Sequence, residues 1–128
     1  MKRLMVGLGA IACAIALACF SERGSGPGNV AGECTVPVSV IDSTHFIVAI
    51  RNFGFHPDSL KVPPGATVTW VDCEDVGQQP HTSTSDNAVW SSPTMTTGDR
   101  YSHIFAGTGT FGYYCTIHPY MMGKVVVQ

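Results

Sequence analysis

Thr110-Phe111-Gly112-Tyr113-Tyr114-Cys115-Thr116-Ile117-His118-Pro119-Tyr120-Met121-Met122-Gly123-Lys124-Val125-Val126-Val127 joins two β-type segments through one short loop. The loop sets Cys115, His118 and Met121 at successive three-residue steps, so a thiolate, an imidazole and a thioether can face one centre. Soft sulfur donors beside a borderline imidazole suit copper, which must be held in both oxidation states. Zinc more often recruits several cysteines or a carboxylate, and neither lies near this loop. Reading Cys115 as a mere buried thiol would leave its spacing to His118 and Met121 a coincidence.

Working outward, apolar and β-branched runs alternate with Gly, Pro and Asp clusters from Thr35 onward. Strands are expected near Val36 to Ile41, His45 to Arg51, Thr67 to Val71, Arg100 to Phe105, Thr110 to Cys115 and Lys124 to Val127. Pro63-Pro64-Gly65 and Gly107-Thr108-Gly109 are turns that launch two of them. With 14 Gly, 8 Pro and only 12% charged residues in 128, the chain reads as one all-β domain, a sandwich or barrel of antiparallel strands. One loop cannot complete a metal site, and His81 is the best-placed second imidazole. It follows Pro80, which fixes its own backbone and restricts Gln79. His45, His56 and His103 have no partner at ligand spacing and read as structural or surface residues, and Met95 as packing.

Several segments together resemble the plastocyanin-like cupredoxins: Asn52-Phe53-Gly54-Phe55 with Pro57 and Leu60, Pro64 to Trp70, Pro80-His81-Thr82, Gly109 to Cys115, and Gly123 to Val127. The C-terminal ligand loop is most similar to that of the amicyanins. The resemblance implies a Greek-key β-sandwich and one type 1 blue copper ion, with His81, Cys115 and His118 as equatorial ligands and Met121 as the axial one. It also implies single-electron transfer, for which Phe55, Pro119 and Tyr120 are the candidate apolar contact patch beside His118. The chain departs from the pattern at Phe111, where many relatives have Tyr. It departs again in Cys73-Glu74-Asp75-Val76-Gly77-Gln78-Gln79, which is longer and more acidic than in the simplest members.

Met1-Lys2-Arg3 and the apolar run Leu4 to Ala18 read as an export signal over residues 1–19. Small residues before Cys19 resemble a bacterial lipoprotein signal, although Ala16 stands where such signals usually carry Leu. Lipidation at Cys19 and ordinary cleavage therefore both remain open. Residues 20–34 read as a Gly/Ser/Pro tether, and 35–128 as the cupredoxin domain. With Cys115 assigned to copper, Cys34 and Cys73 are the pair left for a disulfide in an oxidising compartment. Asp72, Glu74, Asp75 and Asp86 flank His81 either as a docking patch for a basic partner or as a solvated loop.

Loss of Lys2 and Arg3 with the signal leaves five basic residues against nine acidic ones, a net charge near −4 that argues against nucleic acid as a partner. The expected role is electron transport between a redox donor and acceptor outside the cytoplasm, in the periplasm or another extracytoplasmic location. The expected form is a monomer, whose one contact with the membrane would be a lipid on Cys19 if that cysteine is lipidated. Copper delivery, storage or sensing is the alternative. Catalysis is not expected, because copper oxidases need further histidine clusters and domains, and no His-x-His pair occurs here.

Overall fold

The computed structural model describes Cys34 and residues 43–128. The expected export signal with Cys19, the tether up to residue 33 and the strand Val36 to Ile41 lie outside the described residues.

Strand β1 (His45–Arg51) lies inside a sheet with residues 46–50 all buried, as its Phe-Ile-Val-Ala-Ile composition favours. Asn52 and Phe53 then take left-handed backbone angles, φ 50° and 53°, and form a two-residue turn into β2 (Gly54–His56). The chain crosses to a second sheet as β3 (Ser59–Val62) and turns at Pro63-Pro64-Gly65, where Gly65 supplies φ 87°. It comes back as β4 (Ala66–Asp72), parallel to β1. A two-residue β5 (Thr84–Ser85) follows, then β6 (Arg100–Phe105), antiparallel to β4. Finally β7 (Gly109–Tyr114) and β8 (Met122–Val127) make the hairpin that carries the ligand loop.

The sheets have the orders β2-β1-β4-β6 and β3-β8-β7-β5. No helical element occurs over residues 43–128. Pairing is not purely antiparallel as expected, since β1/β4 and β3/β8 run parallel. The reason is connectivity: the chain visits the second sheet between β1 and β4, and that crossover brings it back in its original direction.

Phe46, Val48, Ile50, Val68, Trp70 and Phe105 from the first sheet meet Leu60, Val62, Tyr113, Val125 and Val127 from the second. Trp70 stands edge-on to Tyr113 at 5.3 Å and tilts against Trp90 at 5.4 Å. Cys115 and Met121 belong to the same cluster, so the ligand loop is anchored in the core. His103, read as a surface or edge residue, is half-buried on the edge strand β6 and stacks on Trp90 at 5.1 Å.

Candidate metal centre

Cys115 directly follows β7, has no exposed surface and is the one free cysteine among the described residues. The Cys115 N–H donates to the Met121 carbonyl at 3.0 Å, and the Met121 N–H to the His118 carbonyl at 2.9 Å. The loop is thus closed on itself, with all three donors held at its neck. Met121 is 2% exposed and points inward, whereas Met122 is 67% exposed, as the alternation of a resuming strand demands.

His81 reaches the same point from another element. Its N–H donates to the Met95 carbonyl at 2.9 Å and its carbonyl accepts from the Met95 N–H at 2.8 Å, an isolated bridge that fixes the backbone under the ring. Cys115 Sγ lies 3.9 Å from His81 Nδ1 and 3.8 Å from His118 Nδ1, and the three atoms lie within 4.8 Å of one another. Two imidazole nitrogens and a thiol converging without a proton to bridge them well is the arrangement a metal ion completes. With Met121 beside them, the donor set fits copper. Burial, the larger cause, holds His81 below the ordinary histidine value, and nearby His118 acts the same way while Glu74 opposes them. Burial thus favours the neutral imidazole, the form that ligation needs.

Three residues to which the sequence reading gave no part in the metal site complete the surroundings. The Thr82 N–H donates to Cys115 Sγ at 3.3 Å, and Thr82 Oγ1 accepts the Thr116 N–H at 2.8 Å, tying the two ligand segments together. Phe53 sets its ring edge-on to His81 at 5.4 Å and to His118 at 5.1 Å. Glu74 is buried and brings Oε1 to 3.3 Å from His81 Nε2. Position directly after His81 could have pointed to Thr82; Phe53 stands in a segment that carries the family resemblance and Glu74 in the acidic stretch before His81, but neither pattern shows that the side chain packs on a ligand ring, which tertiary packing decides.

Two expectations are corrected. Phe55 is 3% exposed and packs edge-on against Tyr113 at 4.7 Å, so it belongs to the core, not to a contact patch; strand alternation turns it inward, and Phe53 is the aromatic beside His118. The acidic group is likewise divided, because Asp72 and Glu74 are buried and only Asp75 and Asp86 face solvent. Cys34 and Cys73 form a disulfide with Cα atoms 5.5 Å apart, directly before Glu74.

Residues 44–128 match the family of copper binding proteins called the plastocyanin/azurin family. The chain belongs to that family. This cupredoxin is 32% identical over 120 residues to amicyanin from Paracoccus denitrificans, covering 87% of this chain and 91% of the relative. It is 30% identical over 121 residues to amicyanin-alpha from Methylorubrum extorquens, covering 93% and 98%. Among solved structures, a purple cupredoxin from Nitrosopumilus maritimus is similar at 32% identity and a TM-score of 0.58, over 64% of this chain and 98% of that one. A reduced amicyanin variant is similar at 34% identity and a TM-score of 0.60, over 70% and 86%. This cupredoxin binds one copper ion, and His81, Cys115, His118 and Met121 form its ligand site.

Proposed function

We propose that this cupredoxin shuttles single electrons between a donor and an acceptor protein outside the cytoplasm, and that they pass through the ring of His118. Copper binding and single-electron transport come with membership of the family. The route rests on one contrast: His81 has no exposed surface, while His118 is half-exposed among Ile117, Pro119, Tyr120 and Met122, all exposed. Bound copper supplies the one-electron couple. The chain keeps water away through buried Cys115, His81 and Met121, holds the Nδ1 and Sγ donors converged, and offers one aromatic edge to a partner. Pro119 and Tyr120 stay in the proposed contact patch, with Ile117 and Met122 in place of Phe55.

Delivery or storage of copper is the weaker reading, since ligands that exchange metal quickly need exposure and three of the four here are buried. We also propose that the chain catalyses nothing alone, acts as a monomer, and is exported by residues 1–19, with Cys19 as the candidate lipid anchor. The Cys34–Cys73 disulfide supports an oxidising compartment. Electron self-exchange tests the route. Tyr120→Lys sets like charges face to face and should slow self-exchange at least about tenfold at unchanged potential. An unaltered rate would move the electron port away from His118. Membrane fractionation of wild type and Cys19→Ala tests the anchor, and a native N-terminus beyond residue 19 would exclude it.

A further inference from the structure

We infer that Glu74 is a positioning residue of the copper site, one carboxylate that orients His81 directly and steadies His118 through Phe53. The backbone presents it with little freedom. The Cys73 N–H donates to the Ile50 carbonyl at 2.7 Å, the Glu74 N–H to Asp72 Oδ1 at 3.0 Å, and Cys73 is held by its disulfide. From this anchored turn the side chain runs inward and is 8% exposed. A carboxylate buried to this degree is costly unless its oxygens are matched, and fold stability alone gives little reason to retain one.

Its Oε1 meets two groups. It accepts the Phe53 N–H at 2.7 Å, and it lies 3.3 Å from His81 Nε2, a buried atom with no well-aligned hydrogen-bond partner. The second contact is therefore chiefly electrostatic, a negative charge against the far nitrogen of a ligand ring. That charge favours the tautomer with the proton on Nε2 and the lone pair on Nδ1, which faces Cys115 Sγ. The first contact stabilises a bulky residue at φ 53°, a conformation that side chains such as Phe avoid. The ring so placed touches both imidazoles edge-on. Glu74 thus fixes the buried ligand and the wedge against the half-exposed one.

A negative charge at Nε2 makes His81 a stronger donor and favours Cu(II) over Cu(I), so removing it must raise the reduction potential. The test compares copper-loaded wild type, Glu74→Gln and Glu74→Ala, with Asp75→Asn as a control that removes an exposed neighbouring charge. Glu74→Gln keeps an acceptor for Phe53 and should retain the blue colour, yet lose at least about tenfold in preference for Cu(II), a rise of about 59 mV for one electron. Asp75→Asn should shift far less. Nitrogen NMR of the metal-free proteins reads the same claim without copper: His81 should carry its proton on Nε2 in wild type and become a mixture of tautomers in Glu74→Ala. Equal shifts in Glu74→Gln and Asp75→Asn would overturn the inference, as would a wild-type His81 protonated on Nδ1. The metal-free wild-type measurement decides even if Glu74→Ala fails to fold, and it is separate from the copper assignment, which a colourless wild type would contradict.

Discussion

Met121 and Met122 are neighbours with opposite surroundings, 2% and 67% exposed, and that difference sets their chemistry. An axial thioether is a weak donor whose main effect is on potential. Met121→Leu should keep copper and colour and raise the potential, because losing even a weak donor disfavours Cu(II) more than Cu(I). Met122→Leu should leave the potential nearly unchanged, and a larger shift in the Met122 variant would overturn the axial assignment. Asp72 gives a pH signature of its own. Burial, reinforced by the Glu74 and Asp99 carboxylates and opposed by the Glu74 N–H, pushes its carboxyl up to about 6. The native state then holds a proton that the unfolded chain has released, so stability falls as pH rises from about 4 through 6 and the loss is complete above that. Asp72→Asn keeps the acceptor for Glu74 and removes the charge, so in denaturant titrations it should gain up to about 3 kcal/mol over wild type at pH 7.5 and almost nothing at pH 4. A difference independent of pH would contradict this account of Asp72.

At the scale of elements, the β7/β8 hairpin tolerates side chains on one position and not on the other. A methyl at Gly123 would meet the Tyr113 ring, which is 1% exposed and has nowhere to go, whereas one at Gly112 would meet only the end of the exposed Asp86 side chain. Gly123→Ala should therefore cost about 1–3 kcal/mol by overpacking, and Gly112→Ala much less; thermal melts giving the reverse order would mean the hairpin is packed differently. The Cys34–Cys73 bond closes a separation of 39 residues, and its loss in Cys34→Ser should cost about 4 kcal/mol in the chain-entropy model. An unchanged denaturation midpoint would show that the bond does not restrain the unfolded chain. Strands with clear apolar runs were legible in the sequence: His45–Arg51 and Arg100–Phe105 coincide with β1 and β6, and β4, β7 and β8 differ only at their ends. The short β2, β3 and β5 were not. Asn52-Phe53 contains no glycine to announce a left-handed turn, and a two-residue strand such as Thr84–Ser85 carries no periodicity to read.

For the whole molecule, the copper ligands were legible because three of the four crowd into one loop, where sequence spacing and spatial proximity coincide. What surrounds them was hidden for the opposite reason. Phe53 comes from the turn after β1, and Glu74 and Thr82 from the loop that carries His81; that Thr82 meets Cys115 33 residues further on, and that Glu74 meets both His81 and the Phe53 N–H, is decided by packing between elements and not by local pattern. Phe55 was misplaced because its segment adjoins the site while strand alternation points its ring into the core. The central claim is that the buried Cys115 thiolate, two imidazoles and Met121 hold one copper ion as a blue centre, and the visible and paramagnetic resonance spectra of the copper-loaded protein test it most directly. An intense thiolate-to-copper band with narrow copper hyperfine splitting, both lost in a still-folded Cys115→Ser variant, is the predicted result. A colourless wild-type protein with ordinary tetragonal copper spectra would contradict it.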